Sequence, residues 1–170
     1  KMGWTGLNID ARPGSMRSFR DLRPKDINIE CGIGCEEEVR DYFLFNESAL
    51  NGFDRALSMQ RVEEYKQFHI TDIIQVPVLP LSDVLNKNLP LGTKIDFLTI
   101  DVEGLDYEVL LSNDWDSFRP EFVLVEILKT DLVAFNDSLT AKFMVKQGYV
   151  LVAKTYNTYF FRDDSVARNK

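Results

Sequence analysis

Two short stretches of mostly apolar, β-prone residues form the clearest pattern in the sequence. They are residues 95–100 and residues 122–127. Neither stretch alternates regularly between apolar and polar positions, which is typical of strands covered on both faces. Between them, Leu105, Val109 and Leu110 recur at helical spacing. The pattern therefore predicts a strand, a helix and a second strand, which is the repeating unit of a parallel sheet.

The rest of the chain continues this alternation. Further strands are predicted at residues 5–10, 27–30, 39–45, 70–78, 149–154 and 158–162. Further helices are predicted at residues 13–23, 58–68, 82–85 and 139–147. The order predicts an α/β fold in which helices cover both faces of a mainly parallel sheet, and the last two strands form an antiparallel hairpin. Because neither a repeat nor a linker interrupts the sequence, we expect residues 1–170 to form one domain.

Local signals refine this outline. Residues 31–34, C-G-I-G, predict a flexible turn, and residues 46–54 predict a loop because they are polar and contain Asn-Gly. Ser82 is a candidate N-cap for the short helix that follows it. Pro77 restricts residues 70–78 to a sheet edge or to the end of a strand, because proline cannot donate to a ladder.

Charge and composition narrow the classes of partner. The net charge of −7 argues against a general nucleic-acid surface, which needs a basic footprint. This charge fits a neutral small molecule or a sugar at least as well as a charged ligand. No stretch approaches the roughly 20 apolar residues that a membrane span requires. The sequence makes no prediction of oligomeric state.

The cysteines and the histidine do not predict a metal site. Cys31, Cys35 and His69 are too few to supply the four ligands of a zinc site. We expect two reduced thiols rather than a disulfide, and this favours a reducing compartment, the cytoplasm.

Carboxylates follow several of the predicted strands. Asp10, Asp101 and Glu126 lie at strand ends, and Glu103 lies just beyond one of them. In open α/β sheets, ligands bind beyond the carboxyl ends of the strands. Asp10 could accept hydrogen bonds from ribose hydroxyls, or it could cap a helix. For Asp101 and Glu103, a functional pair and a helix cap with a solvated neighbour are both compatible with the spacing.

These residues resemble a known family. The run from Ile95 to Leu110, I-D-F-L-T-I-D-V-E-G-L-D-Y-E-V-L, resembles the signature of FkbM-family methyltransferases. Weaker similarities are R-P-E-F-V-L-V-E at residues 119–126, L-N-I-D at residues 7–10, the segment at residues 27–34, and V-P-V-L-P-L-S-D-V-L at residues 76–85. The resemblance therefore extends over nearly the whole chain.

The resemblance implies a fold and a donor. The fold would be the three-layer, Rossmann-like methyltransferase sheet, and the donor would be S-adenosylmethionine. Asp10 would hold the ribose of the donor, and Cys31, Gly32 and Ile33 would lie against its adenine. The first strand and the glycine-rich turn of the family, D-x-G-A-x-x-G, should precede Lys1 and are not in this sequence. We therefore expect the natural protein to be longer.

The resemblance also implies an acceptor and a reaction. The acceptor would be a hydroxyl of a sugar or of a small molecule, with Asp101 facing the methyl-transfer site and Glu103 and Glu126 near it. A base should take the proton of the acceptor, with Asp101 the first candidate and Glu103 the second. A divalent cation on Asp101, Glu103 and Glu126 could acidify the hydroxyl instead.

The acceptor should be bound by loops. Residues 46–54, which include Asn51, and residues 129–136 are the expected contact segments. Two other functions remain open at this point. One is a nicotinamide-dependent oxidoreductase on a similar sheet, and the other is a non-catalytic binding domain that kept the fold.

Overall fold

The computed structural model describes residues 3–127 and 132–167. The strands in these residues are β1 (Leu7–Asp10), β2 (Ile27–Glu30), β3 (Gly32–Ile33), β4 (Glu38–Phe45), β5 (Ile70–Leu79), β6 (Phe97–Ile100), β7 (Phe122–Glu126), β8 (Tyr149–Lys154) and β9 (Thr158–Asp163). The helices are α1 (Arg17–Leu22), α2 (Arg55–Glu64), α3 (Leu81–Asn88), α4 (Asp106–Leu111), α5 (Leu132–Asp137), α6 (Leu139–Lys146) and α7 (Asp164–Ala167). A 3-10 turn lies at Ser48–Leu50.

The described strands form three sheets rather than one. Their orders are β1-β2, β3-β5-β4 and β6-β7-β9-β8. The pairings β1–β2, β3–β5 and β6–β7 are parallel, and β4–β5, β7–β9 and β8–β9 are antiparallel. The α/β class is therefore confirmed, but parallel pairs do not predominate among the described residues. The predicted closing hairpin is present as β8 and β9.

The chain passes from the first sheet to the second at Cys31. We predicted a flexible turn at residues 31–34, but Gly32 and Ile33 form strand β3, which is parallel to the end of β5. The prediction was wrong because Gly32 serves close packing rather than flexibility. A Cβ at this position would lie 2.5 Å from Cζ of Phe53 and 3.0 Å from a methyl group of Val78.

Helix α3 begins without the predicted cap. The helix starts at Leu81, and the Ser82 side chain makes no capping hydrogen bond. Its first N–H groups bond to Ser112 instead. The Leu81 N–H donates to the Ser112 hydroxyl at 3.2 Å, and the Ser82 N–H donates to the Ser112 carbonyl at 3.0 Å. A tertiary contact therefore replaces the local cap.

Pro77 lies near the end of β5, as its chemistry requires. It is opposite Val39 of β4, and β3 pairs only with Val78 and Leu79. The missing N–H of Pro77 therefore removes no bond to β3.

Strand β6 is not covered on both faces. Phe97 is 50% exposed and Thr99 is also exposed, whereas Ile100 is 4% exposed. Since successive side chains point to opposite faces, one face of β6 joins the core and the other stays open. The prediction of a strand covered on both faces was therefore wrong for the face that carries Phe97 and Thr99. Strand β6 also lies at the edge of its four-stranded sheet, with β7 as its partner. The ring of Trp4 packs beside Phe97, with 5.6 Å between their centroids.

The main hydrophobic core lies around the four-stranded sheet. Its fully buried members are apolar or aromatic side chains of β7, β9, α4, α6 and the adjoining segments. They include Val123, Val125, Tyr159, Phe161, Leu110, Met144, Phe118 and Tyr149. Burial of these side chains is the main favourable contribution to the fold and fixes the strand ends that carry the candidate site. Among the described residues, no helix has the length and apolar character needed to cross a bilayer.

Candidate active site

Three carboxylates meet at the carboxyl ends of β6 and β7. The two strands are parallel, and Ile100 is opposite Val125. Asp101 and Glu126, the next residues of the two strands, therefore emerge at the same sheet edge. Glu103 joins them, and one carboxylate oxygen from each of the three residues lies within 4.8 Å of the others. We call Asp101, Glu103 and Glu126 the carboxylate cluster. The sequence-based grouping of these side chains agrees with this geometry.

The turn that carries the cluster has an unusual backbone. Glu103 has φ of 56°, the left-handed region that costs a non-glycine residue about 1 kcal/mol or more. The next residue, Gly104, has φ of 105°. Asp106, which is 6% exposed, accepts hydrogen bonds from the N–H groups of Val102 and Gly104, each at 3.2 Å. Burial raises the pKa of Asp106, although these two bonds oppose the shift.

Asp106 was missed by the sequence reasoning. The signal was present, because an aspartate at the start of a helix, shortly after a glycine, is a common way to satisfy backbone donors. Here the Asp106 carboxylate accepts hydrogen bonds from the preceding turn, at the residues on either side of Glu103.

Glu126 is the carboxylate of the cluster with the most perturbed environment. Burial raises its pKa to about 7, and the charge of Asp101 and, more weakly, that of Glu103 add to the effect. The Asn157 side-chain amide donates to Glu126 Oε1 at 3.3 Å and opposes the shift. Glu126 Oε2 is buried and has no hydrogen-bond partner among the described residues. Glu126 can therefore exchange a proton near neutral pH.

Glu103 is paired with Arg61 of helix α2. The guanidinium contacts the Glu103 carboxylate through Nη2, and Nη1 donates to the Leu50 carbonyl at 3.1 Å. The positively charged guanidinium of Arg61 therefore lies against the carboxylate cluster. Sequence reasoning did not find Arg61, because it lies 42 positions from Glu103 along the chain.

Asp10 ends β1 and is exposed. Its carboxylate accepts a hydrogen bond from the Arg12 N–H at 2.8 Å, while helix α1 begins only at Arg17. Asp10 therefore closes a local turn rather than capping the helix.

A buried tyrosine connects Asp10 electrostatically with the carboxylate cluster. Burial is the main cause that raises the pKa of Tyr42 to about 12; the charges of Asp10 and, less strongly, Glu103 act in the same direction, and Arg12 opposes them. Asp10 and Glu103 therefore both act on the same phenol. Tyr42 itself was not identified from the sequence.

The three residues expected to lie against adenine are buried in the structure. Cys31 is buried in the core, Ile33 is buried, and the Phe53 ring covers Gly32. Phe53 also packs against Tyr42, with 4.8 Å between their ring centroids. Phe53 therefore stands between Gly32 and the exterior. Neither Cys31 nor Cys35 forms a disulfide.

The predicted acceptor loops are more structured than expected. Asn51 is buried and its side-chain oxygen accepts a hydrogen bond from the Phe45 N–H at 2.8 Å, so it braces residues 46–54. In the second segment, residues 129–131 lie outside the described residues, and Leu132–Asp137 is helix α5 rather than loop.

An α/β sheet with carboxylates gathered at the carboxyl ends of neighbouring parallel strands is typical of enzymes that bind a nucleotide-like cosubstrate. Comparison with known protein families defines the class further. The family described as Methyltransferase FkbM domain matches residues 1–151. The chain therefore belongs to the FkbM methyltransferase family. Neither the curated proteins nor the solved structures contain a match to this chain.

Proposed function

We propose that this protein transfers a methyl group from S-adenosylmethionine to a hydroxyl of a sugar or of another small molecule. Family membership supports methyl transfer. The observation that supports the particular site is the carboxylate cluster, whose oxygens lie within 4.8 Å of one another beside the positive-φ turn. The rival oxidoreductase is disfavoured by the family to which the chain belongs.

The chemistry of the side chains fits this donor. When bound, S-adenosylmethionine supplies an activated methyl group on a positively charged sulfonium, and an acidic cluster is complementary to such a cation. Asp10 is exposed at the end of β1 and its carboxylate only accepts hydrogen bonds, which suits ribose hydroxyls. Phe53 would form the wall of the adenine site, with Cys31, Gly32 and Ile33 behind it. This proposal includes the three-layer, Rossmann-like arrangement and a single domain over residues 1–170.

The residues of the chain have two tasks in this reaction. They hold the acceptor oxygen in line with the methyl group, which can supply most of the acceleration. They also remove the proton of the hydroxyl, and Asp101 is the first candidate because it is exposed at the end of β6. Glu103 is the second candidate. Glu126, with a pKa of about 7, has a carboxylate oxygen within 4.8 Å of oxygens of both candidates.

A divalent cation is the alternative means of activating the hydroxyl. Three carboxylates provide the oxygen ligands that Mg²⁺ and Ca²⁺ prefer. Against this, Arg61 already supplies a positive charge to Glu103, and Asn157 donates to Glu126. The base mechanism therefore has more support, and it predicts turnover in the presence of EDTA.

The substitution Asp101→Asn tests the proposal. It keeps the shape of the side chain but removes the proton acceptor, so we expect turnover to fall by about 10²-fold or more. We expect the dissociation constant of S-adenosylmethionine to change by less than about threefold, because Asp10 and the adenine wall are unaffected. Two assays measure these effects: methyl transfer from radiolabelled donor to a panel of methyl glycosides, and calorimetric titration of the protein with the donor.

Asp116→Asn is the matched control, because Asp116 is an exposed aspartate away from the cluster. Near-normal turnover in Asp101→Asn would remove Asp101 from the role of base. Failure of the wild-type protein to bind S-adenosylmethionine would favour the non-catalytic binding domain.

A further inference from the structure

Arg61 connects three separate segments of the chain. It lies on α2, contacts the Glu103 carboxylate through Nη2, and donates through Nη1 to the Leu50 carbonyl of the 3-10 turn. The Arg61 side chain is 13% exposed and that of Glu103 is 22% exposed. The contact is therefore largely withdrawn from solvent, unlike most ion pairs at a protein surface.

The segment from Leu50 to Arg61 packs directly on the turn that bears Glu103. A Cβ on Gly52 would lie 3.4 Å from Cβ of Glu103, and one on Gly104 would lie 3.2 Å from a methyl group of Leu57. The Gly52 N–H and carbonyl both bond to Phe43 of β4, so this segment is also fixed to the second sheet. Residues 50–61 thus form a cover over one side of the carboxylate cluster.

Glu103 needs such support, because it is the one non-glycine residue with positive φ in the part of the chain that the structure describes. A residue in the left-handed region persists only where its surroundings over-determine it. Asp106 holds the backbone of the turn by accepting hydrogen bonds from the N–H groups of Val102 and Gly104. Arg61 holds the side chain of Glu103 through the contact of its guanidinium with the Glu103 carboxylate.

We propose that Arg61 is a positioning residue for methyl transfer: it directs the Glu103 carboxylate into the cluster and holds residues 50–53 over the acceptor side of the site. The inference rests on the proposed function and deepens it. A guanidinium can reach two acceptors in fixed directions, whereas the ammonium of lysine acts as a compact point charge. We therefore expect the two-pronged geometry of the guanidinium, and not only its positive charge, to be required for positioning Glu103 and residues 50–53.

The experiment compares Arg61→Lys and Arg61→Met with Arg55→Met. Arg55 is an exposed residue at the start of the same helix, so its substitution changes net charge equally without touching the cluster. Turnover is measured with S-adenosylmethionine and the panel of methyl glycosides, and donor affinity is measured by calorimetry. Amide hydrogen exchange of residues 50–53 is measured in the absence of both substrates.

We expect Arg61→Lys to lower kcat by about tenfold or more, with the dissociation constant of the donor within about twofold of wild type. Exchange at residues 50–53 should become at least about tenfold faster, because their link to α2 is lost. Arg61→Met should show both effects at least as strongly, and Arg55→Met neither.

Two results would overturn the inference. One is a wild-type kcat and wild-type exchange in Arg61→Lys. The other is a lower melting temperature with unchanged kcat per folded molecule, which would make Arg61 merely structural. If the wild-type protein methylates no glycoside and binds no donor, the proposed function fails, and the exchange measurement still decides whether Arg61 holds residues 50–53.

Discussion

Glu126 shows how one buried oxygen can set the acid–base behaviour of a site. Its Oε2 atom is buried without a partner among the described residues, and Asn157 provides one hydrogen bond to the other oxygen. The ionised form is therefore poorly solvated, and Asp101 adds repulsion. A group of this kind destabilises the fold when charged and provides a proton acceptor near neutral pH.

We predict that Glu126→Gln stabilises the protein at alkaline pH. The folded pKa of about 7 is higher than the ordinary value of 4.5, so the ionised side chain costs stability. This cost is absent below the ordinary value, grows between the two values, and is complete above the folded value. The variant should therefore gain about 1–3 kcal/mol over wild type at about pH 8, and much less at about pH 5. Urea unfolding at the two pH values measures the difference.

Glu37→Gln provides the control for this prediction. Glu37 is exposed, so its substitution should shift the free energy of unfolding by the same small amount at both pH values. An equal gain of Glu126→Gln at pH 5 and pH 8 would contradict the cause given for the raised pKa.

At the scale of elements, the turn between β6 and α4 joins the fold to the site. Its backbone donors at Val102 and Gly104 bond to Asp106, the first residue of α4. Because Asp106 is buried, water cannot readily replace it. Asp106 therefore supports the backbone on both sides of Glu103.

We predict that Asp106→Ala destabilises the protein by about 1–3 kcal/mol, because two backbone donors lose their acceptor in a buried place. The amide resonances of Val102 and Gly104 should move more than those of other residues in a ¹⁵N correlation spectrum. Asp83→Asn is the control, since Asp83 is exposed in the first turn of α3. It should lower stability by no more than about 0.5 kcal/mol. Unshifted amides at Val102 and Gly104 would show that the turn does not depend on Asp106.

The sequence predicted those elements whose stabilising contacts are local or repetitive. The unit β6, α4 and β7 was predicted because apolar runs and helical spacing mark its members, and the strand ends then located Asp101, Glu103 and Glu126. Strand β3 was missed because the two glycines of residues 31–34 indicate a turn, while the ring that covers Gly32 belongs to Phe53 in a distant segment.

Contacts between distant segments account for the other differences. The cap of α3 is supplied by Ser112, 31 positions from Leu81, and the partner of Glu103 is Arg61, 42 positions away. No periodicity within a single segment encodes such pairs. Tyr42 of β4 likewise packs on Phe53, which lies in a separate segment of the chain.

For the whole molecule, the closing hairpin is fastened at both ends of β7. At the site end, the Asn157 carbonyl accepts from the Ile127 N–H at 2.9 Å and its side chain donates to Glu126. At the opposite end, Arg119 donates to both carboxylate oxygens of Asp163, at 2.6 and 2.8 Å, and Tyr149 donates to the Pro120 carbonyl at 2.6 Å. The R-P pair of the family resemblance therefore contributes to the fold, whereas Glu126, which ends the same segment, lies in the carboxylate cluster.

The last prediction concerns the pair of Arg119 and Asp163. Burial alone would raise the pKa of Asp163, but hydrogen bonds from Arg119 and Ser165 outweigh it and leave the pKa below its ordinary value of 3.8. The stability gained is present above that value and is lost as pH falls through the folded pKa. Asp163→Asn should therefore destabilise the protein by about 2–4 kcal/mol at pH 7, because Arg119 keeps a partly buried charge without its partner. The difference from wild type should shrink as the pH approaches about 3.

Asp96→Asn is the control. It removes an exposed partner of Lys94 and should lower the free energy of unfolding by less than about 1 kcal/mol at every pH tested. Chemical unfolding between pH 3 and pH 7 measures all three proteins, and parallel curves for wild type and Asp163→Asn would mean that the ionised pair does not hold the hairpin in place.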